Sequence, residues 1–172
     1  MKKKGDIWVS AVLYLALGVI VLIIILNAGV PLIKNMTQRN IVSQTKDMMF
    51  TLDKNIRTII NEGPNSRRVL NPFTIDEGNL YVNETDITWE METSDKMMEP
   101  NILINEGVLK IILKSTKQVD KYLIDLNLNY KDITKLELVS SSTGPFSGKY
   151  NLIVTHSGRY DNNIPIVTFN IM

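Results

Sequence analysis

The side chains that could do chemistry are few and scattered. A single histidine, His156, stands at the end of an alternating run. One imidazole cannot build a multi-histidine metal site, and no acid–histidine–nucleophile set accompanies it. It is read as a surface or turn residue. Asp86, Glu90 and Glu92 fall at even spacing. On a strand this spacing shares one face, so they read as a solvent face. The chain has no cysteine, hence no disulfide framework and no thiol nucleophile. It has no glycine-rich phosphate loop, no HExxH and no CxxC. No catalytic, metal or cofactor residues are expected, and an enzyme is the last of the readings. Modification chemistry remains. Asn35-Met36-Thr37 and Asn83-Glu84-Thr85 are N-glycosylation triplets. Asn35 lies hard against the end of an apolar run. Asn83 lies in a turn between strands and is the better acceptor. The Ser140-Ser141-Ser142-Thr143-Gly144 stretch reads as a loop whose hydroxyls are a minor O-glycosylation alternative.

The elements around these residues begin with the apolar run. Met1-Lys2-Lys3-Lys4-Gly5 sits against IWVSAVLYLALGVIVLIIILNAGVPLI, residues 7–33, which contains no charged residue. A helix over residues 7–30 would be roughly 36 Å long, enough to cross a hydrocarbon core of about 30 Å. Three lysines on the near side keep the N-terminus cytoplasmic and place the chain beyond Ile33 outside. A cleaved secretory signal normally has an apolar region of only about 7–15 residues and a small-x-small site. Here the run is longer, and Leu26-Asn27-Ala28 puts leucine where a small residue is wanted. A one-pass signal anchor is the stronger competitor.

Lys3-Lys4-Gly5-Asp6-Ile7 followed by this helix resembles the class III signal peptide of archaeal type IV pilins and archaellins. The resemblance covers residues 2 to about 30. It implies that Lys2, Lys3 and Lys4 are the basic part of a leader spanning residues 1–5. A prepilin peptidase would cut between Gly5 and Asp6 on the cytoplasmic side, leaving the helix on the mature chain. Glycine suits such a cut because it lets a protease approach the backbone closely. Bacterial pilins carry glutamate as the fifth mature residue, where this chain has Ser10, which favours the archaeal members. Further implied partners are a pilus assembly ATPase and a membrane platform protein.

Beyond Ile33 the pattern is amphipathic. Met48, Leu52, Ile56 and Ile60 recur every fourth residue, with Met49 and Ile59 widening the stripe and Ile41 and Thr45 extending it. Lys46, Asp47, Asp53, Lys54 and Arg57 read as the opposite face. Gly63-Pro64 is a stop signal. Residues 6–62 therefore read as one long helix, with 7–33 as membrane or filament core and 34–62 amphipathic. Pro31 either kinks or locally melts it, or ends its membrane part. Ala11, Ala16, Gly18, Ala28 and Gly29 would allow close helix approach.

Residues 64–172 read as a β-rich head. Strand runs are expected at Asn79–Val82, Thr85–Glu92, Val108–Ser115, Val119–Asn129, Lys135–Ser140, Lys149–Thr155 and Ile164–Ile171. Turn signals stand at Asp76-Glu77-Gly78, Asn105-Glu106-Gly107, Gly144-Pro145, Ser157-Gly158 and Asp161-Asn162-Asn163. The expected class is α+β: a long N-terminal hydrophobic helix, then an antiparallel sheet or small sandwich with one face on the Met48–Ile60 stripe. The 172 residues suit one globular domain beyond the helix. Taking Lys2, Lys3, Lys4 and Asp6 from the 19 basic and 18 acidic residues leaves 16 and 17, a charge of −1. A nearly neutral remainder without a basic run gives no support to nucleic-acid binding.

These features support two function classes. The first is a structural pilin: a homo-oligomeric filament subunit held in the membrane by residues 7–33 before assembly, then extracellular, with its β domain exposed for adhesion or surface contact. The second is a monomeric signal-anchored protein with an extracellular β-sheet binding domain. A minor pseudopilin of a secretion or uptake machine is a variant of the first.

Overall fold

A computed structural model describes residues 3–139 and 144–172, with side chains from Trp8 onward. Lys2 and residues 140–143 lie outside the described residues, as do the side chains at positions 3–7. One α-helix, α1, spans Lys3–Glu62 and runs through Pro31 without ending or melting there. Proline at this point leaves the Asn27 carbonyl without its helical donor. Gly63 stops the helix. Its φ is 88°, a left-handed conformation that costs a residue without Cβ little, and its N–H reaches the Ile59 carbonyl at 3.1 Å.

By its contacts the chain forms two compact units, residues 1–38 and 39–172. The end of α1 thus belongs with the sheet, from Arg39 onward. Eight strands complete this second unit: β1 Arg67–Val82, β2 Asp86–Thr93, β3 Leu103–Glu106, β4 Leu109–Ser115, β5 Tyr122–Asn129, β6 Lys135–Leu138, β7 Phe146–Asp161 and β8 Ile164–Ile171. They form one sheet in the order β3-β4-β5-β2-β1-β7-β8-β6. All neighbours are antiparallel except β6 and β8, which run parallel. The α+β layout is as expected from the residues, as a single sheet.

Period-two alternation sends one set of side chains inward. Trp89 on β2 stands opposite Leu126 on β5, which stands opposite Ile111 on β4. Ile87–Leu128–Leu109 and Met91–Ile124–Leu113 form the adjoining rows. These nine residues share one buried cluster with the helix residues Ile41, Val42, Met49, Leu52, Ile56 and Ile59. The helix stripe is rotated slightly from its expected line. Met49, Leu52, Ile56 and Ile59 are fully buried, while Met48 and Ile60 lie at its margins.

Two expected turns are instead bulges within long strands. β1 and β7 are 16 residues each and shift register between Leu70 and Phe73, between Ile75 and Leu80, and between His156 and Tyr160. Asp76-Glu77-Gly78 and Ser157-Gly158 absorb the extra residues without breaking the strand. Gly78 has φ 82°, and the Trp89 indole donates to the Glu77 carbonyl at 2.9 Å beside it. A Cβ on Gly78 would stand 2.4 Å from the Glu90 carbonyl oxygen and 2.9 Å from the Trp89 ring. Gly78→Ala is therefore expected to cost about 2–4 kcal/mol through positive-φ strain and overpacking. Urea unfolding checks this; a midpoint equal to the parent's would contradict it.

Candidate functional site

The surface that most needs explanation is the first part of α1. Every residue from Trp8 to Ile33 except Gly29 is exposed. Its large apolar side chains are 46–75% exposed, the extremes being Val21 and the pair Trp8 and Tyr14. Apolar surface of this extent is unfavourable in water and demands lipid or protein cover. Among the described residues, one helix is long and apolar enough to cross a membrane, and it lies near the N-terminus.

Five small residues are the expected points of close helix approach. At about 100° per residue, Ala11, Gly18 and Gly29 fall within about 20° of one line along the helix, and Ala16 and Ala28 fall elsewhere. A Cβ on Gly18 or Gly29 would meet nothing within 4 Å in the isolated chain. These positions are therefore open to a neighbouring helix. Lys3, Lys4, Gly5 and Asp6, at and around the expected cleavage point, like Lys2, lie outside the described side chains.

The sequons occupy different settings. Asn35 is half-buried within α1, and the Thr37 hydroxyl donates to the Ile33 carbonyl at 3.0 Å. Residues two apart on a helix project to opposite sides, so Asn35 and Thr37 are held apart. Asn83 is exposed in the β1–β2 turn, where its N–H donates to the Asp86 carbonyl at 2.9 Å and its side-chain amide donates to the Asp86 carboxylate at 3.1 Å. Asp86 and Glu90 are half-buried and Glu92 is exposed, on the face opposite Ile87, Trp89 and Met91. Among the described residues no three of His, Asp and Glu gather as metal ligands.

Two polar residues depart from their expected places. His156 is 1% exposed rather than on the surface. Its Nδ1 accepts from the Gly158 N–H at 3.0 Å, and its ring meets Tyr160 edge-on at 5.7 Å. Alternation along β7 from the buried Leu152 and Val154 puts it on the inner face beside buried Val167, and the register shift comes only after it. Asp53 is likewise buried, not on the solvent face of α1. Tyr130 donates to Asp53 Oδ1 at 3.1 Å, and Arg57 Nε reaches both carboxylate oxygens at 3.0 and 2.9 Å. A buried charge held this way keeps its partners. Sequence reasoning misses Tyr130, which lies just past β5; its one cue is an aromatic residue closing an alternating strand.

Burial, then the Asp53 charge and hydrogen bond, push the Tyr130 phenol well above its ordinary pKa, against a smaller opposing effect of Arg57. A raised pKa in the fold stabilises below the unfolded value of about 10, and that contribution is lost as pH rises beyond it. Tyr130→Phe is expected to cost about 1–2 kcal/mol at neutral pH and to flatten the alkaline fall in stability. Denaturation midpoints at neutral pH and above pH ~10 test it. An alkaline limb unchanged by the substitution would assign that limb to other groups.

The sheet ends in two different edges. β3, absent from the expected strands, is exposed at all four residues, and Ile102 and Leu103 are 53% and 52% exposed. Its cue is the apolar run Ile102-Leu103-Ile104 just before the Asn105-Glu106-Gly107 turn. At the other end, a cleft of about 700 Å³ is lined by β6 and the β1–β2 turn, with Val82, Glu84, Leu136 and Leu138 among its residues. Nearby, Lys135 lies 3.3 Å from Glu84 and 3.2 Å from Asp161.

Compared with known proteins, the chain matches no family model, no curated protein and no solved structure.

Proposed function

We propose that this chain is a structural subunit of an archaeal type IV pilus-like filament. The observation that carries the reading is the helix exposed and apolar on every side from Trp8 to Ile33, followed in the same chain by a unit with a complete core of its own. Such a helix is stable in lipid and equally stable among copies of itself. The subunit waits in the membrane as a single-pass protein with its N-terminus cytoplasmic. A prepilin peptidase removes residues 1–5, and an assembly ATPase acting through a membrane platform protein moves the helix into a bundle. The helices form the filament core, with Ala11, Gly18 and Gly29 facing neighbours. The β-sheet unit coats the filament outside the cell and meets surfaces. Asn83 is the position where a glycan would attach. The role is structural, with no catalysis and no nucleic-acid binding.

Intact mass and N-terminal sequencing of the native protein test this directly. A chain starting at Asp6 supports filament assembly. Retention of Met1 or Lys2 sinks it and leaves a signal-anchored protein with an extracellular binding domain. A start near Val30 shows ordinary secretion and removes the helix from the mature molecule.

A further inference from the structure

Among the described residues, the β3 edge and the Leu138 end of the β6 edge are complementary in backbone and face. We propose that β3 of one copy adds in parallel to the free edge of β6 in a second copy, seating in the cleft beside Leu138. This contact goes beyond the filament reading and does not rest on it.

The backbone phase comes first. Val139 N–H donates to the Phe169 carbonyl on β8 at 2.8 Å, and Leu136 N–H donates away from β8 to the Glu84 carbonyl at 2.8 Å. Alternation along a strand then turns the Leu138 N–H and C=O away from β8, into the cleft. On β3, Glu106 and Leu109 flank a two-residue hairpin turn, so they form its closing hydrogen-bonded pair. Ile104 therefore faces β4, while Leu103 and Asn105 turn their backbone groups outward. In a parallel pair one residue is bracketed by two on its partner. Leu138 N–H would donate to the Leu103 carbonyl, and Asn105 N–H to the Leu138 carbonyl.

The side chains agree with that register. Leu136 and Leu138 stand beside Val167 and Phe169, both buried, so they point to the inner face. Ile104 stands beside Ile111, also buried, so it shares that face. Pairing Ile104 with Leu138 sets Ile102 level with Leu136, which is buried and whose N–H is already held by Glu84. Ile104, 37% exposed in the isolated chain, then meets the half-buried Leu138 of the cleft. An antiparallel arrangement with the same backbone phase would set inner-face leucines against the outward Leu103 and Asn105. No lysine or proline guards Leu103–Glu106, the usual protection of an exposed edge. Lys46 instead holds Glu106 to α1 at 2.5 Å, presenting the hairpin in a fixed place. Because the joined edges differ, the contact is heterologous and leaves a free edge at each end, so it propagates from copy to copy.

The absence of cysteine makes the test clean. Full-length Leu103→Cys and Glu137→Cys chains are purified, reconstituted together in vesicles and treated with a short thiol-specific cross-linker. In the proposed register these positions are opposite each other on the outer face. The mixture is expected to give a dimer containing one of each chain, neither variant alone should do so, and the doubly substituted chain should give a ladder. Adding Ile104→Lys, at an exposed position, should lower the yield about tenfold by placing a charge against Leu138. Dimers from Leu103→Cys alone, or a mixture that does not cross-link, would overturn the contact. Filaments that form without this cross-link overturn it and leave the filament reading standing. Cross-linked chains that never form filaments support the contact and count against the filament.

Discussion

Gly5→Val is expected to leave the leader on the chain. Valine puts a branched Cβ beside the bond that the proposed peptidase must approach, where glycine presents bare backbone. Processing should fall by more than about a hundredfold, equivalent to about 2.7 kcal/mol on the barrier. Intact mass would then report a chain retaining residues 1–5, and filaments would be missing from electron micrographs. The substitution touches no part of the buried core, which begins at Ile41. The head should keep the parent's unfolding midpoint, separating a processing defect from misfolding. Full processing of the valine variant would remove Gly5 from the proposed cleavage site.

Leu52→Ala and Ile56→Ala are each expected to destabilise the unit of residues 39–172 by about 3–4 kcal/mol. Both side chains are 0% exposed and lie in the cluster shared by the helix and the sheet. Each truncation removes apolar burial and leaves a cavity that a close-packed neighbourhood relaxes into poorly. Set against a typical domain stability of about 5–15 kcal/mol, either is a large loss. Lys54→Ala, at an exposed position of the same helix, should stay within about 0.5 kcal/mol. Urea midpoints for the three variants decide the matter. Equal effects at the buried and exposed positions would mean that this part of α1 does not carry the core.

Much of the architecture was legible in the residues because its cause is local. An uncharged run of 27 residues, positions 7–33, dictates a helix that water does not favour. Gly63-Pro64 states where α1 ends. In β2, β4 and β5, period-two alternation names the buried residues directly: Ile87, Trp89 and Met91; Leu109, Ile111 and Leu113; Ile124, Leu126 and Leu128. Where local chemistry and tertiary pairing disagree, the pairing wins. Asp76-Glu77-Gly78 has turn composition, yet flanking pairs with β2 and β7 carry the strand through it as a bulge. Asp53 has the charge of a surface residue, yet Tyr130, 77 positions away, and Arg57 satisfy it inside. His156 has the polarity of a surface residue, yet β7 runs on past it, and alternation from Leu152 and Val154 places it inward beside Val167.

Of the candidate surfaces, the apolar helix is a property of composition and needed no fold to be seen. The residues by themselves determined that this chain carries a helix apolar on all sides ahead of an alternating β-rich unit. Tertiary structure alone decided that β6 lies parallel to β8, that β3 and β6 end the sheet, and which groups those edges leave open. Periodicity tells each residue which face it occupies, because neighbours along the chain set that. Strand order and free edges depend on partners distant in sequence, and no local pattern encodes them.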